Sequence, residues 1–316
     1  MSARLPALRP GRYRVLRPPG ALAHRAGHAW EQAALPVLAA RSALIYSPAN
    51  LAPVVSSRNV VVIHDVAALR HPESYSRTYV SYQRVMLPVL ARRARRLITV
   101  SEFSKRELVE ALAVAPERVD VVPEGVDEGF ATQADPAAAA AAYDLRSPYV
   151  LVVGTLSGRK NLTALEPVKR ALAREGVELV VAGSERGYLP VPRLTLRRLG
   201  YVSESHLPGV YAGARAVVMP SMYEGFGLPC LEAMACGAPV VCSPYGALPE
   251  TCGDSALMAD PGDHEAFAAA VLRATHDEAL RAHLSAAGHA RARSYSWQRT
   301  AELTDAVISR VLGAAG

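Results

Sequence analysis

The sequence lacks the long apolar run that a membrane-spanning helix requires. No hydrophobic segment approaches the roughly 18 consecutive apolar residues of such a helix. The arginine-rich start of the chain also lacks the apolar stretch of a secretory signal peptide. Both absences favour a cytoplasmic protein.

Cysteines and clustered metal ligands are scarce as well. The four cysteines, at positions 230, 236, 242 and 252, form no C-x-x-C pair and lie in apolar or Gly/Pro-rich segments. We therefore expect buried thiols rather than disulfides or a metal centre. The nine histidines are scattered, and no Asp-x-Asp pair with suitable flanks lies between predicted strands. The sequence predicts no metal site.

Alternating short apolar and longer amphipathic segments are present throughout the 316 residues. This alternation is typical of βαβ units and predicts an α/β protein with parallel sheets. At about 100–200 residues per domain, the length predicts two domains. In the first half we predict strands at 60–63, 97–100 and 119–122, and helices at 79–93 and, with Ser101 as its N-cap, up to about residue 113. In the second half we predict strands at 149–153, 178–182, 216–219, 239–243 and 256–258, and helices at 228–236 and about 300–312.

Positive charge is concentrated in the first half of a chain whose net charge is +6. Six arginines precede the first acidic residue, Glu31, and these are Arg4, Arg9, Arg12, Arg14, Arg17 and Arg25. A second cluster contains Arg92, Arg93, Arg95 and Arg96. Such patches can contact nucleic acid, anionic lipid or a phosphorylated substrate, or can be solvated faces of an arginine-rich protein.

The segment SMYEGFGLPCLEAMACGAPVV, at 221–241, carries the strongest chemical signal. Glu224 precedes a glycine-rich turn, and Glu232 follows two helical turns later. Gly225 and Gly227 allow a tight bend and a close approach to a ligand, and Pro229 suits the first turn of a helix. A helix start offers amides to an anion such as a diphosphate. Since ligands bind at the carboxyl ends of strands in open α/β sheets, Glu224 is expected to project into the crevice.

This segment resembles the paired-glutamate motif of retaining glycosyltransferases of family 4, in which seven residues separate the two glutamates. The resemblance implies a GT-B fold, with two Rossmann-like domains facing a cleft. It implies that Glu224 contacts hydroxyls of the transferred sugar and that Glu232 binds the ribose of the nucleotide. The turn between them, Gly225, Phe226, Gly227 and Leu228, is then part of the donor site.

Other segments match the same family. VVGTLSGRKN, at 152–161, resembles its phosphate-binding strand and loop, which assigns Gly154, Arg159 and Lys160 to the donor diphosphate; without that context the basic pair is a surface pair. Residues 200–214 resemble the base-binding loop, where Tyr201 and Val202 meet the nucleobase unless Tyr201 only packs.

In the first half, His64 and Asp65 resemble the His-Asp of mannosyltransferase-like members, in which the histidine faces the donor sugar. The alternative is a loop histidine beside an aspartate.

The resemblance divides the chain into an acceptor-side domain at 1–130, a linker at 131–146, a nucleotide-sugar domain at 147–295 and a terminal helix at 296–316 that crosses back. The alanine-rich stretch at 131–142 suits either a linker or a surface helix at the domain boundary. The family opens with an apolar strand and a Gly-Gly loop, and residues 1–25 contain neither. We therefore expect either that the true start lies upstream or that the first domain is shortened by about one βα unit.

The expected activity is retaining, metal-independent hexosyl transfer in bacterial polysaccharide, lipid-linked glycan or glycolipid assembly. The resemblance implies a nucleoside diphosphate sugar, GDP-mannose, as donor, no separate cofactor and a glycan or lipid-linked acceptor. We expect no nucleic-acid partner, and peripheral contact with an anionic inner membrane face through the arginine clusters. One alternative is a non-catalytic GT-B partner subunit. Another is a different GT-B enzyme, such as an epimerase or a phosphorylase. A phosphorylase usually carries a segment with a lysine that binds its cofactor, and we find no such segment in the sequence.

Overall fold

The computed structural model describes residues 13–18, 20, 27–155, 157–183 and 196–314. Contacts divide the chain into two compact units. The first contains Met1–Arg70, Arg77–Pro123 and Trp297–Gly316, and the second contains His71–Ser76 and Glu124–Ser296. Each unit has its own parallel sheet, which confirms the predicted α/β class.

Among the described residues, the N-terminal part of the first unit contains four strands and four helices. The strands are β1 (Ile45–Ser47), β2 (Asn59–Val62), β3 (Arg96–Thr99) and β4 (Val119–Val121), and the helices are α1 (Gly27–Leu38), α2 (Ala67–Arg70), α3 (Arg77–Arg93) and α4 (Glu102–Leu112). The strands pair in the order β1-β2-β3-β4, all parallel. Their carboxyl ends therefore meet at one edge of the sheet.

Local sequence explains these elements. Strand β2 is buried throughout because its residues are almost all β-branched and apolar. Helix α4 begins at Ser101, whose side chain accepts a hydrogen bond from the backbone N–H of Ser104, so the predicted N-cap is confirmed. Leu90 of α3 and Leu108 of α4 are fully buried against Leu97 of β3.

The second unit contains six strands within the described residues. These are β5 (Tyr149–Val153), β6 (Glu178–Ala182), β7 (Arg197–Gly200), β8 (Ala216–Met219), β9 (Val240–Cys242) and β10 (Leu257–Met258). Its helices are α5 (Gly129–Thr132), α6 (Pro136–Tyr143), α7 (Leu165–Arg174), α8 (Leu207–Ala212), α9 (Leu228–Ala235), α10 (Leu248–Cys252), α11 (His264–His276) and α12 (Glu278–Arg293). Short 3-10 helices are Pro72–Ser74, Gly158–Lys160, Leu162–Ala164 and Gly253–Ser255 in this unit and Pro116–Arg118 in the first.

The strand order β10-β9-β8-β5-β6-β7 determines where this unit can bind a ligand. With β5 as the first strand, it is the 3-2-1-4-5-6 order of a Rossmann sheet. The connections from β5 run to one side through β6, and the chain then returns to the other side at β8. The switch point, where a ligand crevice is expected, therefore lies between β5 and β8.

The alanine-rich segment contains a helix with mostly exposed residues, which is the surface helix that its sequence suits as the alternative to a linker. Helix α6 forms there, with the side chain of Asp135 accepting a hydrogen bond from the N–H of Ala138. The start of this helix lies so close to α8 that a Cβ on Gly209 would be 2.2 Å from the backbone oxygen of Asp135. The segment is therefore part of the second unit, which contains Glu124–Ser296.

The last helix, α13 (Trp297–Gly313), belongs to the first unit. Val307 and Val311 on its buried face share a core cluster with Val60, Val62 and Ile98 of the first sheet.

The arginine clusters are only partly described. Arg14 and Arg17 are exposed, whereas Arg4, Arg9, Arg12 and Arg25 lie outside the described residues, as does most of the segment at 1–25 in which no opening strand was found. In the second cluster Arg92, Arg93 and Arg95 are exposed. Arg96 is half-buried and donates two hydrogen bonds to Asp120, at 2.5 and 3.0 Å. Arg96 therefore forms a structural ion pair with Asp120 and is not part of the exposed arginine cluster.

Two further expectations concern thiols and membrane spans. All four cysteines are free; Cys230, Cys242 and Cys252 are buried and Cys236 is half-buried.

In the part of the chain that the structure describes, no helix combines the length and the apolar character needed to cross a bilayer.

Candidate functional site

A depression lies at the switch point of the second sheet. It is lined by Val152, Val153, Gly154, Thr155, Lys160, Leu162, Met219 and Pro220. These residues come from the carboxyl ends of β5 and β8 and from the loop that follows β5. The sequence thus places a basic loop where the topology predicts a ligand site.

The basic loop is shaped by two residues with positive φ. Gly154 has φ +143°, and a Cβ on it would lie 3.2 Å from Cε and 3.3 Å from Nζ of Lys160. Gly154 therefore leaves room for the lysine side chain to run along the end of β5. Asn161, with φ 47°, ends the 3-10 turn that carries Arg159 and Lys160.

Arg159 and Lys160 both pair with Glu224. The Nζ of Lys160 lies 2.6 Å from Oε1 of Glu224, and Nη1 of Arg159 lies 3.2 Å from Oε2. The side chains of Lys160 and Glu224 are only 9% and 8% exposed. Burial by itself would raise the pKa of Glu224, but the charges of Lys160 and Arg159 outweigh it and lower that pKa to about 2. Glu224 is therefore a carboxylate throughout the physiological range.

Backbone contacts hold Glu224 and the basic turn together. The N–H of Met222 donates to the carbonyl of Arg159 at 2.9 Å, and Nη1 of Arg159 donates to the carbonyl of Tyr223 at 2.9 Å. On the other side, a Cβ on Gly246 would lie 2.6 Å from the nitrogen of Glu224. The loops after β5, β8 and β9 thus lock one another in place.

The glycine-rich turn acts through its backbone. Gly227 has φ +106° and precedes α9. In the first turn of α9, Pro229 carries no N–H, and the N–H of Cys230 donates to the carbonyl of Gly227 at 2.9 Å. Gly225 and Phe226 are buried, and Leu228 is half-buried. The Phe226 ring packs edge-on against Tyr295, and its carbonyl accepts a hydrogen bond from Thr251. Of this turn, the amides rather than the phenyl ring are suited to a polar ligand.

Glu232 lies on α9 and is held by a residue to which the sequence assigned no role. The hydroxyl of the fully buried Tyr211 donates to Oε2 of Glu232 at 2.8 Å. Burial raises the pKa of Glu232, while the Tyr211 hydrogen bond and the charge of Lys160 act against that rise. Lys160 therefore acts electrostatically on both glutamates of the motif.

The residues proposed for the base lie just after β7. Tyr201 is 71% exposed, while Val202 is 7% exposed and packs inward. Tyr201 therefore presents its ring to solvent. Residues 184–195, which precede this strand, lie outside the described part.

His64 belongs to the first unit, where it follows β2. Its backbone N–H donates to Oδ1 of Asn50 at 2.8 Å, and its Nδ1 lies 3.0 Å from the same oxygen. Burial lowers the pKa of His64, with the neighbouring Asp65 acting against that effect. Asp65 itself accepts a hydrogen bond from the N–H of Ala67 at the start of α2. Asn50 was missed because the strand before it was not predicted.

Within 27–155, 157–183 and 196–314 and the few residues described before them, no group of three or more His, Cys, Asp or Glu side chains could hold a metal ion.

Two family models match the chain. The model described as Glycosyltransferase Family 4 matches residues 4–130, and the model described as Glycosyl transferases group 1 matches residues 147–277.

Curated relatives agree with the models. The chain is 34% identical over 263 residues to the O-antigen chain mannosyltransferase B of Escherichia coli, a match that spans 76% of this chain and 67% of that protein. It is 35% identical over 230 residues to the D-inositol 3-phosphate glycosyltransferase of Segniliparus rotundus, spanning 66% of this chain but only half, 50%, of that protein.

A solved structure shows the same fold. Sucrose-phosphate synthase from Thermosynechococcus elongatus aligns with a TM-score of 0.69 at 23% identity, covering 98% of this chain and 83% of that one. The chain therefore belongs to glycosyltransferase family 4 and has the two-sheet α/β fold of the GT-B glycosyltransferases.

Proposed function

We propose that this glycosyltransferase moves a hexose, mannose, from GDP-mannose to a hydroxyl of a glycan, glycolipid or lipid-linked acceptor, with retention of anomeric configuration and without a metal ion. The supporting observation is the pair of cations, Arg159 and Lys160, at the switch point of the second sheet.

The charges at this point suit a diphosphate. Two cations face one carboxylate, so the group carries net positive charge in a largely buried setting. The first amides of α9 add a partial positive charge from the helix dipole. Arginine can grip a phosphate with two parallel hydrogen bonds, and lysine adds a compact charge. Together they can stabilise the charge that develops on a leaving diphosphate.

The two glutamates are assigned to different parts of the donor. Glu224 pairs with the cations that we assign to the phosphates, and a sugar bonded to the diphosphate lies next to them. Glu232 lies two turns along α9, and its carboxylate has acceptor positions beyond the one that Tyr211 uses. Carboxylates accept hydrogen bonds from adjacent hydroxyls, so we assign Glu224 to the sugar and Glu232 to the ribose.

The choice of mannose rests on a relative rather than on the site. The E. coli relative is a mannosyltransferase of O-antigen chains. This supports mannose as the sugar and a bacterial surface glycan or its lipid-linked precursor as the product. The base remains guanine in the proposal, with Tyr201 and Val202 beside it.

We propose a same-face displacement for the transfer. The bond between the sugar's C1 and the phosphate oxygen breaks, and a bond from C1 to the acceptor oxygen forms on the same face. The proton of the acceptor hydroxyl passes to an oxygen of the leaving diphosphate. We assign His64 to a sugar hydroxyl, which its neutral imidazole can bind.

A donor screen tests the proposal. The enzyme is incubated with GDP-mannose, UDP-glucose and TDP-glucose, with and without a mannose-terminated lipid acceptor mimic, and nucleotide release is measured. We expect release from GDP-mannose and a product whose first-formed anomer, read by NMR, matches the donor. An inverted product would refute retention. No release from any donor would favour a non-catalytic partner subunit.

We also propose that the protein acts at the inner face of the cell membrane. Three exposed arginines lie at or just after the C-terminal end of α3 in the first unit, namely Arg92, Arg93 and Arg95. Each basic residue near an anionic surface contributes about 1 kcal/mol, so three give loose, salt-sensitive binding.

A further inference from the structure

Tyr211 is a fully buried residue of α8 whose hydroxyl reaches the donor-site helix α9. The hydroxyl donates a hydrogen bond to Oε2 of Glu232 at 2.8 Å. Burial and the negative charge of Glu232 raise the pKa of Tyr211 well above its ordinary value, so the phenol keeps its proton. The phenol is therefore a permanent donor, and the carboxylate is its acceptor.

A second contact fixes the Tyr211 ring. The ring of Phe130, in α5, packs edge-on against it, with the two ring centroids 5.9 Å apart. The carbonyl of the same Phe130 accepts a hydrogen bond from Sγ of Cys236 at 3.1 Å. Cys236 follows Glu232 by one helical turn, so both lie on the same face of the helix. Phe130 is thus held at α9 and against Tyr211 together, which leaves the phenol little freedom to turn away from Glu232.

The hydrogen bond from Tyr211 leaves most of the Glu232 carboxylate available. Glu232 is half-buried, and among the described residues no group donates a hydrogen bond to its Oε1. Oε1 is also not one of the described side-chain atoms that are enclosed without a partner, so solvent reaches it. Each carboxylate oxygen has two acceptor positions, and Glu232 therefore retains positions for both hydroxyls of a ribose.

We infer that Tyr211 is a positioning residue, which holds the Glu232 carboxylate in the orientation that accepts hydrogen bonds from the ribose hydroxyls of the donor nucleotide. The inference rests on the proposed function for the assignment of Glu232 to the ribose. A glutamate side chain loses conformational freedom when it is ordered, and ordering it before the nucleotide arrives removes that cost from binding. Phenylalanine at position 211 keeps the ring packing but leaves Glu232 free to rotate. The ribose contacts should then weaken while the diphosphate contacts stay.

Nucleotides without ribose hydroxyls isolate this effect. Calorimetry measures the affinities of GDP and UDP, and of their dideoxy forms that lack both hydroxyls, for the wild type, Tyr211→Phe and Glu232→Ala. The readout is the ratio of the affinity of each nucleotide to that of its dideoxy form.

Tyr149→Phe is the matched control. Tyr149 is also buried, and its hydroxyl donates to the carbonyl of Val210 at 2.7 Å, one residue before Tyr211 in α8. The control therefore removes a buried hydroxyl that holds the same helix and has no hydrogen bond to Glu232.

The expected results follow from the loss of hydrogen bonds to a charged group. In the wild type and Tyr149→Phe, the nucleotide should bind about 10- to 100-fold more tightly than its dideoxy form. In Tyr211→Phe this ratio should fall about fivefold or more, with the affinity for the dideoxy form unchanged. The double variant of Tyr211→Phe and Glu232→Ala should bind GDP no more weakly than Glu232→Ala alone, because Tyr211 acts through that glutamate.

The outcomes separate this inference from the proposed function. An unchanged ratio in Tyr211→Phe, an equal fall in Tyr149→Phe, or a further loss in the double variant overturns the positioning role, while the proposed transfer stands. A wild type that binds neither nucleotide, or binds each as tightly in its dideoxy form, contradicts the assignment of Glu232 to the ribose. In that case the inference falls together with that part of the proposed function.

Discussion

Replacing Glu224 with glutamine tests the buried ion pairs of the donor site. Glutamine keeps the shape of the side chain but removes its charge. Lys160 and Arg159 would then face each other at the end of β5 and β8 without a compensating carboxylate. Breaking a buried pair by removing one partner costs about 3–5 kcal/mol, because the remaining charge stays buried.

The pKa of Glu224 gives an independent magnitude. A fall from 4.5 to about 2 corresponds to about 3 kcal/mol, at about 1.4 kcal/mol per pKa unit. Because the pKa is lower in the folded state, this stabilisation is fully present above pH 4.5 and is lost as the pH falls towards 2. The side chain is 8% exposed, so solvent screening reduces the value little.

Urea unfolding followed by circular dichroism measures the effect. At pH 7 we expect the free energy of unfolding of Glu224→Gln to be lower than that of the wild type by about 3 kcal/mol. The difference should shrink steadily as the pH is lowered from 4.5 towards 2, because in this range the carboxylate is protonated in the unfolded chain but still ionised in the folded protein. Glu278→Gln, at a pair whose glutamate is 76% exposed, is the control and should change stability by less than about 0.5 kcal/mol. A difference below that level at pH 7, or one that does not depend on pH, would refute the buried pairing.

Three further predictions concern ligands. Calorimetry should show that Glu232→Ala weakens binding of free GDP, whereas Glu224→Ala lowers turnover and spares GDP affinity; equal losses in both variants would contradict the assignment to ribose and sugar. Turnover should persist in EDTA, and loss of activity that magnesium or manganese restores would show that a metal is required. Changing Arg92, Arg93 and Arg95 to glutamate should abolish co-sedimentation with anionic vesicles at low salt, a loss of about 3 kcal/mol; strong residual binding would place the anchor elsewhere.

Most strands of the second unit were predicted from the pattern of apolar residues in the sequence. The predicted strands 149–153, 178–182 and 216–219 have the observed bounds, because each is an apolar run closed by glycine or proline. Helix α9 was predicted to within one residue because Gly227 and Pro229 mark its start.

What the sequence could not show depends on tertiary contacts. Strand β7 consists of Arg197, Arg198, Leu199 and Gly200, and its position at the edge of the sheet allows this polar sequence. Helix α6 is almost all alanine, so it has no separate polar and apolar faces that would distinguish a helix from a linker, and it packs closely on Gly209 in the second unit.

The hydrogen-bond partners of the site residues could not be predicted from the sequence either. The contact between Tyr211 and Glu232 joins α8 to α9 across 21 positions, and that between Asn50 and His64 joins the ends of β1 and β2. Only the fold brings such pairs together. By contrast, the residues within one motif, such as Glu224 and Glu232, lie close in sequence.

The central claim is that the donor diphosphate binds to Arg159 and Lys160 at the switch point of the second sheet. Calorimetric titration of GDP into the wild type, Arg159→Ala and Lys160→Ala tests it most directly, with Arg146→Ala, at a side chain 86% exposed, as the control. We predict that each site variant loses about 1.5–3 kcal/mol, or roughly 10- to 150-fold in affinity, and that the control binds like the wild type. Unchanged affinity for GDP, UDP and TDP in both folded site variants would contradict the claim.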